Sequence, residues 1–176
     1  NHNDQSFRII TFLEKVYLPF DGLNLTWETL EGIAKHNGPL KNINENSTLF
    51  SFNKNIMDLE LKTFPPLEAQ VASISDDIAY MNHDLDDGFR AGLFNPRDLN
   101  KLSFYKEIIK EYGIEADSDR FKKELVRKLI NKMVIDLIKQ IETNLNKIKP
   151  KNVNDIRNAG FNIASFSNKM KRNIFE

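Results

Sequence analysis

One stretch holds three side chains whose types and spacing could do chemistry. In Leu67 to Gly92, reading LEAQVASISDDIAYMNHDLDDGFRAG, Asp76, Tyr80 and Asp84 recur at i, i+4 and i+8. Four residues carry an α-helix just past a full turn, so each step shifts by only about 40°. A helix would therefore set carboxylate, phenol and carboxylate along one slanted face. Such a row could hold a cation, a sugar, and a base edge or water in sequence. The same pattern also describes an acidic face turned to solvent. Five aspartates between residues 76 and 87, beside the single His83, favour a site.

Other candidates are weaker. Asp84, Asp86 and Asp87 before Gly88 hint at a calcium loop, but a loop starting at Asp84 needs glycine sixth and glutamate twelfth. Those positions are Phe89 and Asn95, so the loop fails. Trp27 suits a core anchor better than a stacking platform. His36 sits where a helix should end, and its proton there favours the negative end of the helix dipole rather than a metal. His2, second in the chain, reads on its own as a frayed end.

The elements that must position these residues are helices. The organising stretch carries Leu67, Val71, Ile74, Ile78 and Met81 at three- and four-residue steps, the pattern of a helix with one buried stripe. Pro65 and Pro66 would open it. Upstream, Asp4 can cap a helix through Phe7, Ile10, Phe12, Leu13 and Val16, stopping near Pro19. After a turn at Phe20-Asp21-Gly22, Asn24 or Thr26 can cap the next, which breaks at His36-Asn37-Gly38-Pro39. Residues 40–65 are polar and Asn-rich; they read as an irregular insertion or lid, with LFSFN as a short extended piece. Downstream, a helix over 101–112 ends at Gly113. Ser118 then caps a long one to about residue 148, where Phe121, Leu125, Leu129, Met133, Leu137, Ile141, Leu145 and Ile148 recur almost strictly at four. A polar loop with a short turn over 150–167 precedes a final helix near Ser167. The fold class expected is all-α, in one domain.

Composition narrows the function. With 25 basic and 25 acidic residues, no global field draws the chain to nucleic acid or to an anionic membrane. The basic residues of the long helix lack the interleaved aromatics that single strands stack on. Zero cysteines exclude disulfides, thiolate metal sites and cysteine nucleophiles. No apolar run reaches the roughly 18 residues of a membrane span. Neither a Gly-rich phosphate loop nor a Gly-x-Ser-x-Gly elbow occurs.

The phrases AQVASISDDIAYMNHDLDDGFRAG, FDGLNLTWETLEGIAKHNGP and the opening HNDQSFRI are collinear and run through His2 to Gly92. Together they resemble the bacterial deoxyguanosinetriphosphate triphosphohydrolase (dGTPase) family of HD-domain phosphohydrolases. The resemblance implies a partial HD-domain-like helical bundle that hydrolyses a dNTP, dGTP first among them, to deoxynucleoside and triphosphate. It makes Asp76 the last ligand of a divalent metal ion, with Mg, Mn, Fe or Zn all compatible. It turns Tyr80 and Asp84 to the substrate sugar, and it gives His2, from a His-Asn motif, a catalytic place facing the phosphates. The family's other metal ligands, a histidine and a His-Asp pair, precede that motif and lie outside this chain. His83-Asp84 is therefore not that pair. Asp77 stands where vertebrate relatives carry a lysine near the phosphates, which sides with the bacterial branch. With no membrane-span or signal-peptide pattern in the sequence, the cytoplasm is the default expectation, and the resemblance implies a homo-oligomer with nucleic acid at most as a regulator. The chain thus reads as the central part of a longer enzyme, inactive alone. The alternative is a non-catalytic helical interaction module.

Overall fold

The computed structural model describes residues 2–112 and 118–174. Among them the regular structure is helical throughout, with no strand. Eight α-helices follow in order: α1 His2–Arg8, α2 Trp27–Ala34, α3 Thr48–Asn55, α4 Leu67–Arg90, α5 Ser103–Tyr112, α6 Asp119–Ile148, α7 Val153–Arg157 and α8 Asn168–Ile174. The chain forms two compact units, one of Asn1–Ser73 with Ile148–Ile163, the other of Ile74–Lys147 with Ala164–Glu176.

The core of the first unit gathers Phe7, Leu30, Ala34, Leu49, Phe52, Leu59 and Leu61. Phe7 meets Phe52 edge to face, ring centres 5.1 Å apart. Thr26 caps α2 as expected, accepting from the Thr29 amide at 3.4 Å. Two expectations are revised. Asp4 lies inside α1 instead of capping it, and its carboxylate accepts the amide of Leu49 at 2.9 Å, serving the first turn of α3. The helix it opens is short: after Arg8 the chain widens into a π-helical turn, Ile9–Leu13, and then leaves helical geometry at Glu14. Gly22, at φ +71°, sits tight against that turn, where an added Cβ would stand 2.5 Å from the Thr11 carbonyl oxygen.

The second revision concerns residues 40–65. LFSFN is helical, inside α3, with Ser47 as its cap accepting from Phe50 at 3.1 Å. The polar composition hid a core-forming set, because Leu49, Phe52, Leu59 and Leu61 are all buried. Asparagines do local work here: Asn53 accepts the Leu59 amide at 2.7 Å and Asn44 accepts the Asn46 amide at 3.0 Å, while a backbone bond joins the Leu40 amide to the Leu61 carbonyl at 2.7 Å.

In the second unit, α6 buries Leu125, Leu129, Met133 and Leu137 at the expected four-residue step. Asp136 on α6 accepts both the amide (2.9 Å) and the hydroxyl (2.7 Å) of Ser167, and Ser167 in turn caps α8 by accepting from Met170 at 3.1 Å. Gly113, the expected stop of α5, lies outside the described residues.

Candidate functional site

α4 is continuous from Leu67 to Arg90, so Asp76, Tyr80 and Asp84 do share one helical row. All three are exposed, Tyr80 at 64%. The opposite side carries Ile78, Asn82, Leu85 and Phe89, all buried. This is a small rotation from the sequence expectation, in which Leu67, Val71, Ile74, Ile78 and Met81 formed the buried stripe; Ile78 is buried as expected, and the other four are half-buried. Asn82 explains the difference. Its side-chain amide donates to the Ile78 carbonyl at 2.7 Å and lies 3.4 Å from the Met133 sulfur, so a polar residue is satisfied on the inner face.

The row presents two carboxylates and a phenol to whatever lies outside it. Among the described residues, no group of three or more His, Cys, Asp or Glu could hold a metal ion. One carboxylate at Asp76 does not fit a resident divalent ion by itself. His2 begins α1, and its side chain lies outside what is described. His36 is half-buried just past α2, in keeping with a structural place, and Trp27 packs against the core of the first unit. His83 is exposed and sits with Asp86 at the edge of a groove on α4.

The sequence reading missed a buried charged cluster in the first unit. Glu31 and Lys35 are both fully buried, and Arg157 is 7% exposed. Arg157 grips Glu31 with two parallel bonds, Nε to Oε1 at 2.8 Å and Nη2 to Oε2 at 2.7 Å. Lys35 donates to Glu31 Oε1 at 2.5 Å, to the Thr63 hydroxyl at 2.9 Å, and to the carbonyls of Phe64 and Glu60 at 3.3 and 3.4 Å. Burial pushes the Glu31 carboxyl up, but the bonds from Arg157 and Lys35 together outweigh it and hold it below its usual value. The Lys35 ammonium is held below its usual value, chiefly because burial strips its water and it shares one carboxylate with a second cation. The Arg157 amide end also serves: its carbonyl accepts from Phe64 at 3.0 Å. The cluster therefore clasps residues 60–64, which lead through the buried Pro65 and Pro66 into α4, where Gln70 donates back to the Pro65 carbonyl at 2.8 Å. The four-residue spacing of Glu31 and Lys35 was a visible signal; their partner, 126 residues from Glu31, gave none.

A protein of Agrobacterium fabrum is 44% identical over 180 residues, a match covering 97% of this chain and 44% of that protein. One of Rickettsia rickettsii is 43% identical over 185 residues, covering 100% of this chain and 46% of the relative. Both carry the name deoxyguanosinetriphosphate triphosphohydrolase-like protein. The chain is similar to that family along nearly its whole length. A Rhizobium meliloti relative of the same name matches to the same degree, 44% over 181 residues. The chain spans less than half the length of these dGTPase-like relatives. No family model matches it. No helix among the described residues is long and apolar enough to cross a membrane.

Proposed function

We propose that this chain is part of a metal-dependent dNTP triphosphohydrolase of dGTPase type, cleaving dGTP to deoxyguanosine and triphosphate. The support is the 44% identity across 97% of the chain to proteins named for that reaction, together with the shared helical face of Asp76, Tyr80 and Asp84. In this reading Asp76 contributes one ligand to a divalent ion. Tyr80 presents its ring to the deoxyribose, where bulk rather than a hydrogen bond would reject a 2′-hydroxyl. Asp84 accepts from the sugar side, and His2 faces the phosphates as a donor. No step through the ion follows from these residues alone, because a single carboxylate does not hold it. The complete enzyme is proposed to be cytoplasmic and homo-oligomeric, with dNTP as its partner.

The test has two arms. The purified 176-residue chain with dGTP and Mn²⁺ or Mg²⁺ should release no triphosphate. A chimera in which this chain replaces the stretch it matches in the Agrobacterium fabrum relative should release it. In that chimera Asp76→Ala should abolish release while leaving circular dichroism unchanged, since the residue is exposed. An active Asp76→Ala chimera would remove the role assigned to that carboxylate, and triphosphate released by the chain alone would refute its dependence on further ligands.

A further inference from the structure

The long helix α6 has a second apolar stripe that the second unit covers only in part. Its first stripe, Leu125 to Leu137, is buried. One residue further on, Val126, Ile130, Val134 and Ile138 repeat the same four-residue step, with Ile130 and Val134 each 37% exposed and Ile138 51%. A helix that is apolar over so wide an arc needs a second neighbour. Val126, Ile130 and Val134 form one wall of a groove of about 370 Å³ within the second unit, and Ser75, Ala79 and His83 of α4 stand on the other. Small residues on that wall let another backbone come close. From Val126 to Ile138 the stripe runs about 18 Å at 1.5 Å per residue, which is three turns of a helix. A small ligand would fill the groove and leave Ile138 in water.

We infer that this groove seats an amphipathic helix from the polypeptide that dGTPase-like relatives carry beyond the stretch matched here. Those relatives are more than twice as long as the match, so they hold ample further chain to cover it. The groove's lining fixes the character of the occupant. Its α6 wall is aliphatic, and Asp86, the one carboxylate that lines it, is already paired with Arg90 at 2.7 Å. The seated helix therefore presents an aliphatic stripe to Val126, Ile130 and Val134. It also runs beside the candidate site, because Ala79 follows Asp76 by three residues and so lies on the adjoining face.

The test uses the Agrobacterium chimera with a photo-crosslinking amino acid in place of Val134, and a control label at the exposed Thr143. Irradiation and peptide mass spectrometry should join position 134 to relative-derived sequence of the same polypeptide, at least ten-fold above the control. Crosslinks confined to a second copy of the chain, or none above the control, overturn the inference. The same label at the matching position of the unaltered Agrobacterium protein decides the matter if the chimera does not fold. Triphosphate release is measured separately. Crosslinks without release would leave the groove's occupant standing and remove the proposed activity; release without crosslinks would do the reverse.

Discussion

At the scale of single residues, the charge count at Glu31 dominates the first unit. One buried carboxylate faces two cations, so removing it leaves two buried positive charges without their common partner. Glu31→Gln keeps the shape and should cost about 3–5 kcal/mol in urea denaturation, the range for breaking a buried pair from one side. The direction of its pKa gives a pH dependence. A carboxyl held below its unfolded value of 4.5 contributes stability that is present above that value. That contribution is lost as pH falls through the lower folded value. Wild-type stability should therefore fall more steeply than that of Glu31→Gln in the acid range below about 4.5, and parallel curves there would contradict the assignment. Lys35 works in the opposite part of the scale. Its folded value lies below 10.5, so its burial penalty is relieved as pH rises through that folded value towards 10.5.

At the scale of elements, the π-helical turn depends on a residue that follows it by nine positions. Gly22 combines a left-handed φ with a backbone contact that no side-chain rotamer can relieve, since the near atoms are carbonyl oxygens of Ile10 and Thr11. Gly22→Ala should destabilise the chain by roughly 2–4 kcal/mol, adding backbone strain to overpacking, as read by the urea midpoint. A neutral substitution would mean the turn is not held as described. α6 shows the complementary case of a pattern that reads straight through. Leu129→Ala, deep in its regular stripe, should cost about 2–5 kcal/mol. The helices α2, α4, α6 and α8 were legible in sequence because a cap or a strict period marked each. α3 was not: a stretch of Asn, Lys and Ser conceals Leu49 and Phe52, which are buried in a core that also draws on Phe7 and Leu30 from far earlier in the sequence. Likewise, periodicity gave α4 its length but misjudged its inner face, because a satisfied asparagine outweighs a methionine there.

Across the whole molecule, the helical row of Asp76, Tyr80 and Asp84 was legible from spacing, whereas the expectation of further metal ligands outside the chain came from the family resemblance alone. The clasp in the first unit was not legible, since nothing in a sequence announces that Arg157 folds back onto Glu31. The two compact units make the consequences separable. Glu31→Gln should raise amide exchange at Leu40 and Leu59 in the first unit, while amides in α6 near Leu129 and Met133 of the second keep their protection. In the wild type, Leu40 and Leu59 themselves should exchange slowly, because each donates a short hydrogen bond within a buried setting. Rapid exchange at both would restore the irregular lid that the composition suggested.

The grip of Arg157 on Glu31 has a temporal side. Residues 148–163 complete a unit whose other part is residues 1–73, and the larger part of the second unit, residues 74–147, is threaded between. On a translating ribosome, Glu31 and Lys35 therefore emerge long before the guanidinium that closes around them. At about 5–20 residues per second the wait over 126 residues is roughly 6–25 s. Through that interval the earlier part of the first unit must stay soluble with an unclosed charged pocket, although its core residues Phe7 to Leu61 have all been made. A synonymous-codon slowdown placed between residues 73 and 148 should lengthen this exposure and lower the soluble yield, whereas the same slowdown placed after residue 163 should not.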